Sequence, residues 1–210
     1  MNWALSRWMA AAIAILITPS LGFAWEDPSI LQVEEDWELV VLTPDPLQDS
    51  PQISTWMSPT GNMGSEHFGL DLNHTLRNSE IGGGFQTKAL NGESLIESKT
   101  HDDSTNLHHE GEVIRWTQVM STHGGSLYFS IKNGTSQSWG AFGGSNTTVS
   151  IPSGLTNLNQ YSHLSSLSWS GVGYASNRVG HLKLLRVRKV DSNGQIVEQS
   201  IGTAIESSVQ

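Results

Sequence analysis

Residues 112–132 read EVIRWTQVMSTHGGSLYFSIK, two apolar-rich runs joined at His123-Gly124-Gly125. Within Ser126 to Lys132, Leu127, Phe129 and Ile131 share one phase, and Ser126, Tyr128, Ser130 and Lys132 share the other. Period-two alternation is what a strand with one buried face requires. The two runs are therefore predicted to form an antiparallel hairpin.

The same pattern recurs on both sides of this hairpin. Trp37 to Leu42 is apolar and is stopped by Pro44 and Pro46. Phe68, Leu70 and Leu72 alternate with Gly69, Asp71 and Asn73, and Phe85 to Leu90 turns at Asn91-Gly92 into Ser94 to Lys99. Shorter strands are expected near Ile53 to Met57, Ser138 to Phe142, Thr147 to Ile151 and Leu164 to Val172. In Val179 to Val190, Leu182 and Leu184 share a phase that Leu185 and Val187 reverse, which predicts a β-bulge at Leu184-Leu185. Asp191 to Gly194 is a turn signal leading into a strand over Gln195 to Ile201. Helical periodicity is almost absent. Roughly ten to thirteen short strands with glycine-rich turns predict an all-β fold, a two-sheet antiparallel β-sandwich of jelly-roll type.

Residues 1–24 have the layout of a secretory signal: Arg7, an apolar core from Trp8 to Ile17, and small residues at Gly22 and Ala24. The apolar run is shorter than the roughly 18–20 residues that span a bilayer. Cleavage is expected before Trp25, giving a product that is secreted, periplasmic or held at the cell surface, without stable membrane insertion. Residues 25–36, which include the Glu34-Glu35-Asp36 run, read as an acidic N-terminal arm, and residues 37–205 as one sandwich domain. There is no cysteine, so the exported domain must be held together by burial alone. Without Arg7 the chain carries 20 acidic residues and a net charge of −10, which disfavours nucleic acid as a partner. The basic cluster Lys183, Arg186, Arg188 and Lys189 reads as the solvated face of a strand.

Four stretches carry a resemblance: Trp37 to Leu42, Glu112 to Lys132, the segment from Asn133-Gly134 to Trp139-Gly140-Ala141-Phe142-Gly143-Gly144, and Ser170 to Val179 (SGVGYASNRV). Together they resemble secreted bacterial proteins of no assigned activity that have a concanavalin-A-like, laminin-G-like jelly-roll sandwich. The resemblance covers about half of the mature chain and implies fold and export. It supplies no catalytic residues, and fold does not fix function.

HDDSTNLHHEGE, residues 101–112, is the densest cluster of metal-ligand side chains. His108 and His109 are adjacent, so a strand would point them to opposite faces, away from any common ion. The stretch reads as a polar connection into the hairpin, with calcium bound through Asp102 and Asp103 as the alternative. No other cofactor is expected. The carboxylate strand of sandwich-fold glycoside hydrolases (ExDxxE) is absent, as is GxSxG. Arg115 and Gln118, which a polysaccharide lyase would use together, lie on opposite phases of their strand.

Exposed aromatic rings beside amides and carboxylates suit glycan binding. Trp139, in the glycine-rich SQSWGAFGG, is the first candidate, with Tyr128 and Tyr161 behind it. Trp37, Trp116 and Trp169 are expected in the core. The leading expectation is an exported, non-catalytic sandwich that binds a polysaccharide or an extracellular or envelope component. The alternatives are a polysaccharide lyase or glycoside hydrolase of the same fold, and a structural subunit of a cell-surface assembly.

Overall fold

The structure is a computed structural model that describes residues 28–43, 50–73, 76–77, 80–81, 83–101, 106–107 and 109–205. The expected signal segment, Asp102, Asp103 and His108 lie outside the described residues.

The hairpin that opens the sequence reading is the centre of the fold. Its strands are β8 (Val113–His123) and β9 (Ser126–Ser136), paired antiparallel from His123↔Ser126. Gly124 and Gly125 both adopt positive φ, 58° and 76°. A two-residue turn with two left-handed positions matches strand twist and is open to glycine without strain.

β8 pairs in turn with β1 (Ile30–Val41), the central strand of the larger sheet. On the other side of β1 lie β13 (Val179–Asp191) and then the edge strand β14 (Ile196–Ile205). At the far edge β9 carries two short strands, β10 (Gly140–Phe142) on its last residues and β11 (Val149–Pro152) on its first. The bulge expected at Leu184-Leu185 is present: the β13–β14 register slips between Leu184 and Arg186.

The second sheet runs β12-β2-β3-β6-β7 in spatial order. Its strands are β2 (Gln52–Met57), β3 (Glu66–Leu72), β6 (Phe85–Asn91), β7 (Ser94–His101) and β12 (Gly171–Tyr174). A small ladder, β4 (Leu76–Arg77) with β5 (Glu80–Ile81), stands apart. The chain crosses from β11 back to β12 through a seven-residue helix, α1 (His163–Trp169).

The two sheets face each other across one core, as the all-β sandwich reading requires. Trp37 and Trp116 are register partners on β1 and β8, fully buried, with parallel rings 6.4 Å apart. Phe68 of β3 stacks on Phe129 of β9 at 5.4 Å and ties sheet to sheet.

Two expectations need correction. Strand β1 begins at Ile30, so Ile30 to Asp36 belongs to the central strand instead of an acidic arm. Of the acidic run, Glu34 and Asp36 face outward and pair with Arg188 and Arg186 of β13, while Glu35 faces the core and interrupts the apolar pattern. Leu164 to Trp169 is helical, and Trp169, expected in the core, is 59% exposed. The Leu164–Leu167 spacing of three is a helical period that a strand reading overlooks.

Candidate functional site

Three groups of polar side chains could carry chemistry. The first is the outer face of β1. Arg188 Nη2 lies 2.5 Å from Glu34, and Arg186 Nη2 lies 2.5 Å from Asp36. Glu38 receives Arg115 at 2.6 Å and His181 at 2.8 Å. Residues two apart on a strand stand about 7 Å apart, inside the roughly 5–9.5 Å range that glycoside hydrolysis uses. That mechanism also needs one carboxyl held protonated near neutral pH. Here the opposite holds: His181 and Arg115 keep Glu38 below the usual carboxylate range. The row is arranged to neutralise charge along the sheet.

The second group is inside the sandwich. Glu35 is fully buried and accepts hydrogen bonds from Trp37 Nε1 at 2.9 Å and Tyr161 Oη at 2.5 Å. Burial pushes its carboxyl up to about 7 against the pull of these donors. Burial and the Glu35 charge push the Tyr161 phenol well above its ordinary value. Lys189 Nζ lies 5.4 Å from the centre of the Tyr161 ring. Gln118, opposite Glu35 in register, is buried and donates to Thr55 Oγ1 on the facing sheet. These contacts fasten the crossover segment and the second sheet to β1. They are closed to any ligand.

The third group is the outer face of the second sheet. Trp56 on β2, Gly69 on β3 and Lys88 on β6 form one row across three strands. The half-buried indole lies over Gly69, where a Cβ would come within 2.6 Å of its ring. Glycine is what lets the ring lie down on the sheet. Lys88 Nζ stands 4.7 Å from the ring centre and 2.5 Å from Asp71, which accepts from Ser54 Oγ at 2.7 Å. On the other side, His67 is tilted against the indole at 5.6 Å. Beside Asp71 and Lys88 is a groove of about 160 Å³, lined also by Gln52, Ser54 and Gly173. The glycines of β12 serve a bulge, since its pairing with β2 slips between Val172 and Tyr174. A wider depression of about 580 Å³ lies where Thr60, Asn62, Ser65 and Glu66 meet Ser153 and Gln160.

The residues singled out from sequence do not converge. Trp139 is half-buried against the core, 5.8 Å from Phe85 and edge-on to Phe142 at 5.4 Å. Its turn is held by buried Glu112, which accepts from Ser136 Oγ, Ser138 Oγ and Ser138 N at 2.6–2.8 Å. Burial pushes the Glu112 carboxyl up, but these donors together outweigh it and hold it low. Tyr161 is buried on Glu35, so it offers no ligand surface. Tyr128 is half-buried on the opposite sheet, stacked on His123 at 4.0 Å.

Leu107 is pinned by buried Asn73, whose side chain bonds both its N–H and its C=O. His101 lies flat on Phe85 at 4.4 Å, and among the described residues no three potential metal ligands come together. Arg115 and Gln118 do face opposite ways, one to solvent and one into the core.

Trp56 was not singled out from the sequence. Its signal is the pairing with Gly69, which needs the β2–β3 register. No protein-family profile and no curated protein sequence matches this chain.

Proposed function

We propose that this is an exported, non-catalytic β-sandwich that binds a polysaccharide through the outer face of its five-stranded sheet. The observation that carries the reading is Trp56, laid over Gly69 and flanked by Lys88, Asp71, Ser54 and His67. A flat aromatic ring bordered by an ammonium, a carboxylate and a hydroxyl is the chemistry that recognises a sugar, whose two sides are apolar C–H and polar O–H. The signal-like residues 1–24 and the resemblance to secreted sandwiches support export.

The test is binding to a broad glycan array with the wild type beside Trp56→Ala. Signal on a set of related glycans, lost in the variant at unchanged melting temperature, is the expected result. A silent array for the wild type would refute the proposal.

A second reading, a glycoside hydrolase acting through Glu34, Asp36 and Glu38, draws on their shared face of β1. It predicts reducing ends released from neutral glycans and lost in Glu38→Gln. The ion pairing of all three, and the cations that hold the Glu38 carboxyl below its usual range, argue against that outcome.

A further inference from the structure

We infer that the ligand of this face is an extended, neutral polysaccharide chain that runs along the β2–β3 pair, in place of a single sugar held in one pocket. This rests on the reading of the face as a glycan-binding surface. The side chains form an unbroken row: Ser54 bonds Asp71, Asp71 bonds Lys88, Lys88 stands at Trp56, Trp56 meets His67, and His67 Nδ1 lies 2.8 Å from the Ser65 carbonyl. Ser54 lines the smaller groove and Ser65 the wider depression, so the row, passing through half-buried Trp56 and buried His67, joins the two hollows.

Two magnitudes decide the shape of the ligand. The smaller groove, about 160 Å³, is below the roughly 300–1,000 Å³ of pockets that enclose a small molecule, and the wider depression, about 580 Å³, is within that range but lies open to solvent. A sugar there would stay mostly outside and gain little alone. Along β2, six residues at about 3.3 Å per residue carry the row over roughly 17 Å, and the wider depression lies beyond the strand's end. Only a chain of several units can touch all of it.

Charge decides the class. The Lys88 ammonium is matched by Asp71 at 2.5 Å, and Glu66 adds a further carboxylate at the wide end. With the chain at −9 overall, a uronate or sulfated sugar is repelled. What the path offers is hydroxyls and amides, Ser54, Thr60, Asn62 and Gln160 among them, which pair with sugar hydroxyls without charge.

The experiment is isothermal titration calorimetry of the intact chain with monomer-to-hexamer ladders of neutral β-linked glucans, xylans and mannans. Oligogalacturonates and oligoalginates run beside them. Affinity is expected to climb at least about tenfold from dimer to hexamer in one neutral series, as stacking and flanking contacts accumulate. Gln160→Ala should weaken the hexamer and spare the dimer, with the melting temperature unchanged. A hexamer that binds no tighter than a dimer overturns the extended chain, and preference for the acidic ladders overturns the neutral class. Either result leaves the broader glycan reading standing. Failure of every ladder, acidic and neutral, refutes both.

Discussion

Glu35→Gln should abolish most of the pH dependence of stability between about pH 5 and 8. The native carboxyl is pushed up to about 7 from an ordinary value of 4.5, so between those values the native state holds a proton that the unfolded state has lost. Stability from this group is therefore complete below pH 4.5 and declines as pH rises through 7. A difference of about 2.5 pH units is worth about 3 kcal/mol at 1.36 kcal/mol per unit. Other charges bear on the same window. Burial and Lys189 lower His163, which works in the opposite direction by favouring the native state as pH rises to 6.5. Lys189 Nζ itself faces the Tyr161 ring. The wild-type minus variant difference cancels these contributions and isolates Glu35. Urea unfolding at half-unit steps from pH 4.5 to 8.5 measures it. The wild type should lose about 3 kcal/mol more than Glu35→Gln across that range. Parallel profiles for the two proteins, or a wild type that gains stability toward pH 8 relative to the variant, would refute the reasoning.

Other perturbations separate the roles of the aromatic residues. Gly69→Ala should displace the Trp56 indole and cost about 1–3 kcal/mol, seen as a shifted urea midpoint with altered tryptophan fluorescence. Glu112→Ala leaves the Ser136 and Ser138 donors unpaired and should cost about 1–3 kcal/mol, with loosening of the Trp139 turn detectable by amide exchange. Trp116→Ala should cost about 3–5 kcal/mol, whereas Trp169→Ala on the exposed side of α1 should stay within about 0.5 kcal/mol in the same denaturation series.

How much could be read from sequence depended on whether the signal was local. The β8–β9 hairpin and the Leu184-Leu185 bulge were legible, because alternation and turn glycines are local properties of the chain. Strand β1 was read too short, because Glu35 stands on its inward face and breaks the apolar alternation. Trp37 and the distant Tyr161 together make that position sensible, and Tyr161 lies beyond any local window. Trp139 attracted notice through its small neighbours, but its partners Phe85 and Phe142 come from the fold. Trp56 escaped notice for the converse reason: its neighbours on the sheet, Gly69 and Lys88, are set by register across three strands.

The central claim is that a glycan lies on Trp56. Two-dimensional NMR of the tryptophan indole N–H groups during titration with an array-positive neutral hexasaccharide tests it most directly. Trp56 should shift progressively to saturation, while buried Trp37 and Trp116 and the core-packed Trp139 stay in place. Saturable shifts at Trp139 with Trp56 unmoved would contradict the account.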